Sequence, residues 1–359
     1  MTTTITTPPR SAPLNKLTQE NMSESASLPS FRKLGTSSWR RRYASVAIFG
    51  MLLVAGSAAA ETSTRSAGGE RTKTTAPSRQ KQSIEQIRNA AELGDKEAQY
   101  ELAHRYLTGK GVHRDTAEVV KWVRLSAAQD YAPAQCQMGH FSLYGNFGIT
   151  QNIDKAMQWY QLAATQGHAA AQNNLGLILF HGAEGIPQNA SDAVQYFQQS
   201  AAQGYVPAMN NMGSAFFHGI GVTRDLIKAE EWFLKAARLG DPGSQFSLAA
   251  INDQRGDLKE AFDLYTEAAQ QNHAPSQFNL AVAYGQGKGT PVNYVQSYMW
   301  FRLAELNGFE KAPAGVQSVA QFMNRSQISE GEERVREWNS IKPSETEDWA
   351  APIYTPVQR

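Results

Sequence analysis

One spacing governs what this chain can fold into. A small residue preceded by an apolar one returns at intervals of 36, 37, 37, 36 and 32 residues: Leu102-Ala103, Met138-Gly139, Leu175-Gly176, Met212-Gly213, Leu248-Ala249 and Leu280-Ala281. Self-similarity at such a period marks a stacked repeat architecture. One unit cannot bury its apolar face alone, and neighbours make the core continuous.

The positions around each anchor read as a helix-turn-helix. Five residues before it stands a small residue (Ala98, Ala134, Ala171, Ala208, Ser244, Ser276), and four before it Gln99, Gln135, Gln172, Met209, Gln245 or Gln277. Small residues at helical spacing let two helices approach closely. Six residues after the anchor comes Gly109, Gly145, Gly182, Gly219 or Gly287, then a second glycine (Gly111, Gly148, Gly185, Gly221, Gly289). Glycines there supply the positive φ that ends a helix. Four residues on lies an N-cap candidate, Asp115, Asn152, Asn189, Asp225 or Asn293. An aromatic follows seven later: Trp122, Trp159, Tyr196, Trp232 or Trp300.

Repeat five departs. It lacks the glycine pair, reaches its cap Asp257 after eight residues, and has Leu264 at the aromatic position. This predicts a shortened turn. A helix over Ser83–Leu93 is expected to cap the start, and residues 309–338 to form one or two closing helices.

The segments flanking the repeats read differently. Residues 1–60 hold seven Lys/Arg against two Asp/Glu, with Arg40-Arg41-Arg42 before an apolar run ending Ala58-Ala59-Ala60. A basic cluster, a short apolar run and a small-x-small end form the pattern of a signal peptide. The expectation is a leader and signal peptide over 1–60, cleaved after Ala60, with translation from Met1 or Met22. An uncleaved inner-membrane anchor is the alternative. Residues 61–82 read as a flexible linker, and 339–359, with three prolines, as an extended tail. Residues 83–359 carry 22 Lys/Arg against 29 Asp/Glu, which argues against nucleic acid as a partner. The membrane enters only through an uncleaved leader.

The combination Ala-Gln-x-x-Leu-Gly, Gly-x-Gly-Val, Asp-x-x-Lys-Ala-x-x-Trp and Ala-Ala resembles the Sel-one-like repeat, a relative of the tetratricopeptide repeat. Repeat four carries it most fully: Ala208, Met212-Gly213, Gly219, Gly221-Val222, Asp225, Lys228-Ala229, Trp232, Ala236-Ala237 and Gly240. The resemblance covers 83–338. It implies an all-α fold, a right-handed α/α superhelix (solenoid) of six helix-turn-helix repeats with helical caps. It also implies an adaptor or scaffold role, in bacteria often envelope regulation or contact with host proteins. Fold alone does not determine function.

Several residue patterns invite a chemical reading beside a bland one. His181 and His218 share a repeat position, which suggests a metal pair, but two ligands make no zinc site. They read more simply as helix-end residues, and no metal or cofactor is expected. Gly109-Lys110-Gly111 and Gly287-Lys288-Gly289 lack the rest of a phosphate loop. Ser30-Phe31-Arg32-Lys33 matches the Ser-x-x-Lys of penicillin-recognising enzymes but sits in the leader. The tryptophans read as core, and Cys136, the single cysteine, as an inert helix residue. No catalytic residue is assigned.

By analogy with tetratricopeptide domains, positions three before, one after and four after the anchor face a concave groove. That places Tyr100, Cys136, Asn173, Asn210, Phe246 and Phe278 in the first row, His104, His140, Leu177, Ser214, Ala250 and Val282 in the second, and Phe180 and Phe217 in the third. Asn173 and Asn210 would form an amide ladder for an extended peptide, since an Asn amide both donates and accepts. In the alternative, the asparagines are solvated and the phenylalanines are core. The expected function is a non-enzymatic protein-protein interaction scaffold of the bacterial envelope, periplasmic or secreted, with a protein or peptide partner. A secreted effector binding a host protein, and a cell-wall or β-lactam-directed enzyme, are the alternatives.

Overall fold

The structure, a computed structural model, describes residues 83–341 with Glu184 excepted. The expected leader, signal peptide or anchor, the linker and the Ser30–Lys33 motif lie outside the described residues. So does the tail after residue 341, although the last helix runs three residues into it. Among the described residues all fifteen regular elements are helices. They divide between Tyr205 and Val206 into two compact units.

The first unit holds α1 (Ile84–Glu92), α2 (Lys96–Thr108), α3 (Thr116–Ala127), α4 (Ala132–Tyr144), α5 (Ile153–Thr165), α6 (Ala169–His181) and α7 (Ala190–Ala202). Each helix packs on the next. Helix α1 is the expected cap, and repeats one to three are α2/α3, α4/α5 and α6/α7. The caps form as the sequence predicts. Asp115 Oδ1 accepts from the Ala117 and Glu118 N–H groups at 2.8 and 3.1 Å, and Asn152 and Asn189 act alike. Each such cap contributes about 1 kcal/mol. At the other end of α2, Gly109 turns left-handed (φ 78°) and its N–H donates to Arg105 O.

The glutamine four before each anchor ties neighbouring helices together. Gln135, buried, donates to Ala127 O of the preceding repeat at 3.4 Å and accepts from Gln166 at 2.7 Å. Gln99 and Gln172 repeat the arrangement with Ala91 O and Gln129, and with Ala164 O and Gln203. An amide suits the position because it donates to the second lone pair of a helix-end carbonyl, which also accepts a turn N–H, while accepting from its own repeat.

The second unit holds α8 (Val206–His218), α9 (Leu226–Arg238), α10 (Pro242–Arg255), α11 (Leu258–Gln270), α12 (Ala274–Gln286), α13 (Tyr294–Leu306), α14 (Ala312–Ala320) and α15 (Arg325–Ile341). Repeats four to six are α8/α9, α10/α11 and α12/α13, and α14 and α15 are the closing pair. Helix α15 packs on α13 through Trp300 and Trp338 (ring centroids 5.1 Å) and through Tyr298 and Arg302, both bonded to Glu332. The glutamine ties recur at Gln245–Gln271 and Gln277–Asn307, while repeat four has Met209 and Leu239 at the two positions.

The turn of repeat five is short, as expected. Only Gly256 and Asp257 separate α10 from α11, and Asp257 makes no side-chain cap bond. The aromatic expectation needs correction. In repeats two to six the deepest ring of the second helix lies eight residues after the cap, not seven: Tyr160, Phe197, Phe233, Tyr265 and Phe301 are all buried, while repeat one has Val123 there and keeps its ring, the buried Trp122, at seven. Repeat five therefore keeps its core ring in Tyr265, next to Leu264. Of the tryptophan position itself, Trp122 and Trp300 are buried and Trp159, Tyr196 and Trp232 half-buried.

Candidate partner-binding face

The first helix of each repeat must bury its anchor side and leave another side to solvent, and the exposure pattern shows which. With 3.6 residues per turn, positions two before, one after and five after an anchor share one stripe, rotated roughly 100° or more from the anchor. That stripe is the accessible one. The position three before the anchor, expected to face a ligand, turns instead toward the start of the following repeat. Tyr100 packs edge-on to Tyr131 (5.6 Å), Phe246 on His273 (5.3 Å) and Phe278 on Phe309 (4.8 Å). Tyr100 is buried, Phe278 is fully buried among Phe301 and Phe309, and Phe246 is half-buried. These rings are inter-repeat packing.

Both asparagines of the expected ladder are buried, so they are not solvated side chains. In the first unit Asn173 donates through Nδ2 to Asn174 Oδ1 at 3.4 Å. In the second unit the Asn210 amide nitrogen is buried and has no acceptor among the described residues. Phe180 is also buried, and Phe217 is half-buried within an apolar cluster.

The position one after the anchor behaves more nearly as expected. His140, Leu177, Ser214 and Ala250 are half-buried, whereas His104 and Val282 are buried. Burial, with Arg105 and Lys110 adding to it, pushes the His104 pKa down to about 3.

Sequence reasoning missed the row two before the anchor. It is polar in every repeat: Glu101, Gln137, Asn174, Asn211, Ser247 and Asn279. Four of these are half-buried, and Gln137 and Asn211 retain a small exposure. The signal was present, since six polar residues at one repeat position inside otherwise apolar helices have no packing reason.

In the first unit this row meets the histidines. Asn174 Nδ2 lies 3.2 Å from His140 Nε2. An amide NH2 only donates, so His140 Nε2 is the lone-pair nitrogen and Nδ1 carries the proton. Asn173, Asn174 and His140 thus form a directed chain of donors joining repeats two and three. The His140 ring stands edge-on to Tyr160 (5.5 Å) and parallel to Tyr144 (6.3 Å). Burial, then the neighbouring His168, pushes its pKa down to about 4, so it is neutral near pH 7. His168 caps α6 by accepting from Ala171 N–H at 3.2 Å.

In the second unit the face presents Asn211, Ser214 and His218 on α8, Ser247 and Ala250 on α10, and Asn279 on α12. His181 and His218, the suggested metal pair, stand edge-on to Phe180 and Phe217 in their own units. Among the described residues no group of three or more His, Cys, Asp or Glu is placed to hold a metal. Cys136 is buried, with its thiol pushed up to about 12 by burial, as an inert residue should be. Apart from Glu101, which pairs with Arg105, the face therefore offers neutral amides, imidazoles and hydroxyls. Such groups complement the peptide unit, which has one donor and one acceptor.

Comparison with known proteins agrees with this architecture. The Sel1 repeat model matches six times, over residues 96–131, 132–168, 169–205, 206–241, 245–273 and 274–309. The crystal structure of c5321, a protective antigen of uropathogenic Escherichia coli with an SLR fold, is 30% identical with a TM-score of 0.58, over 72% of this chain and 56% of that one. A Sel1 repeat protein from Oxalobacter formigenes is 26% identical with a TM-score of 0.54, over 70% of this chain and 99% of that one. The alginate biosynthesis protein AlgK of Azotobacter vinelandii is 30% identical over 115 residues, 31% of this chain. The F-box protein At1g70590 of Arabidopsis thaliana is 32% identical over 92 residues, 26% of this chain. The matches span only 25% and 26% of those two relatives' lengths.

Proposed function

Because this chain belongs to the Sel1 repeat family, whose repeats typically mediate protein-protein interaction, we propose that it is an envelope scaffold holding an extended segment of a partner protein along the accessible stripe of the first helices of its first unit. The observation that carries this reading is the polar row two before each anchor, bonded to His140 in the first unit. A half-buried amide that keeps some exposure costs desolvation and packs poorly. A bound peptide backbone can use such an amide's second N–H and second lone pair in either chain direction. Neutral imidazoles suit the same ligand, because a charged one would demand a counter-ion from the partner.

The envelope placement rests on two further observations. One is the Arg40–Arg42 cluster ahead of an apolar run ending in three alanines. The other is likeness to a protective antigen and to an alginate biosynthesis protein, both bacterial. The expected site is the periplasm, or the inner membrane facing it if the leader is retained. Fractionation of the producing cells decides this: recovery in the periplasmic or membrane fraction supports it, and recovery in the culture medium favours the secreted reading.

The binding test uses the full chain against a displayed library of random twelve-residue peptides. Selected peptides should bind native protein and lose about tenfold on Asn174→Ala/His140→Ala, with the circular dichroism spectrum unchanged. Failure to select any peptide, or equal binding by the variant, overturns the reading.

A further inference from the structure

The turns between helices help to fill the core. In repeat two the turn residues Phe147 and Ile149 pack inward, and in repeat three Ile186 does so. Repeat five has no such residues, because Gly256 and Asp257 are its whole turn. The turn of repeat six closes on the start of α11 instead. A Cβ on Gly289 would lie 2.1 Å from Leu258 O, so only glycine permits that approach.

A partly open pocket remains between α10, α11 and α12, and its closed depth is no larger than a water molecule or a methyl group. One wall is apolar, formed by Ala261, Val282 and Ala283. The other is polar: Asp253 from α10, Tyr265 from α11, Asn279 from α12 and Lys288 from the turn of repeat six. A space of this size holds water when several polar groups converge on it, and stays dry when its lining is apolar.

The hydrogen bonds around the pocket leave complementary groups over. Tyr265 is buried, and its bond with the Asn279 side chain favours the phenolate, so the amide donates to the phenol oxygen. The tyrosine O–H is then left to donate elsewhere. Its pKa is raised first by burial and then by the Asp253 carboxylate, which is therefore the acceptor in that direction. Asp253 Oδ1 meets Lys288 Nζ at 3.4 Å, beyond the roughly 2.7–2.9 Å of a close charge-assisted bond.

We propose that this pocket binds one ordered water molecule, which accepts from the Tyr265 hydroxyl and the Lys288 ammonium and donates to the Asp253 carboxylate. About three bonds is the usual complement of a buried water. The donor and acceptor pattern selects the occupant. A metal or ammonium cation cannot accept from Tyr265 and Lys288, a chloride ion cannot donate to Asp253, and a methyl group does neither. The water ties α10, α11 and the turn of repeat six together at the place where repeat five has neither turn residues nor a side-chain cap. The site needs no partner segment, so it stands or falls separately from the function proposed above.

The experiment is a set of crystal structures of the full chain that show ordered water: native, Tyr265→Phe and Lys288→Met. In the native protein a water oxygen should lie within about 3.2 Å of Tyr265 Oη, the Asp253 carboxylate and Lys288 Nζ. Tyr265→Phe keeps the ring and removes one donor. Lys288→Met removes the other at the partly exposed rim, where folding is not at stake. Each variant should lower the occupancy of that water at least twofold. An empty pocket, one filled by another solute, a direct bond from the Tyr265 hydroxyl to Asp253, or undiminished occupancy in either variant would each overturn the proposal.

Discussion

A Cβ placed on Gly139 of α4 would lie 2.6 Å from Cε1 of Tyr160 on α5, so the tyrosine ring occupies the space a side chain would need. Gly176 faces Phe197 and Gly213 faces Phe233 in the same way; Ala103 of repeat one pairs in position with the smaller Val123, while Ala249 and Ala281 of repeats five and six share their repeats with Tyr265 and Phe301. The small anchor and the deep ring are one feature read at two places in the sequence.

Gly139→Ala therefore destabilises the protein. The gain in helix propensity is about 1 kcal/mol. Overlap with a fully buried ring costs about 1–3 kcal/mol. A net loss of up to about 2 kcal/mol is expected by denaturant unfolding. The cost should shrink in a Tyr160→Val background, the combination of repeat one, which a double-mutant cycle measures. An equal cost in both backgrounds would locate the strain elsewhere.

The glutamine ties make the second prediction. Gln135→Ala removes one hydrogen bond each from the Ala127 carbonyl and the Gln166 amide, which keep Asp130 N–H and Leu162 O, at about 1 kcal/mol. Repeat four, with Met209 half-buried and Leu239 60% exposed, lacks the pair. Met209→Gln/Leu239→Gln together should raise stability by about 0.5–1.5 kcal/mol, and neither change alone should. Calorimetric melting of the three variants checks this.

Stability should fall in mild acid. Burial holds His104 and His273 down to about 3 and His140, His168 and His181 to about 4, from an ordinary 6.5. The unfolded chain therefore takes up protons first. Stability is intact above about pH 6.5 and is lost as pH falls from there toward 4, at up to about 1.4 kcal/mol per pH unit for each such histidine. Asp241, raised by burial, acts in the opposite sense. His104→Leu should flatten the slope between pH 6.5 and 4, measured as urea midpoints. An unchanged slope would mean that His104 is not buried neutral.

Asn173 and Asn174 are adjacent but should fail differently. Asn174→Ala removes the bonds to Asn173 and His140, and is expected to cost about 1 kcal/mol of stability and to weaken segment binding. Asn173→Ala, a buried donor, should cost about 1–2 kcal/mol of stability with the affinity of the folded protein nearly kept. Melting curves and peptide titration on both variants separate the two roles. Equal behaviour would remove Asn174 from the face.

The histidines show where sequence reading stopped. His104 and His140 share one repeat position and were expected to present to a ligand together. The structure buries His104 and leaves His140 half-buried and bonded to Asn174, which no single-helix pattern indicates. Asn173 and Asn210 were placed on the accessible side by analogy, one helical step from the row that holds it.

By itself the sequence determined the repeat period, the caps at Asp115, Asn152, Asn189, Asp225 and Asn293, the turning glycines and the short turn of repeat five. These are local: each depends on φ, or on a side chain reaching a backbone N–H two or three residues away. Tertiary structure alone decided which stripe of each first helix stays open, that the ring eight residues after the cap fills the space over the anchor, and that repeat six closes on α11 to leave a pocket. Those outcomes depend on how far one helix rotates against residues some 20 to 35 positions away, and helix periodicity leaves that rotation undetermined until the neighbours are packed.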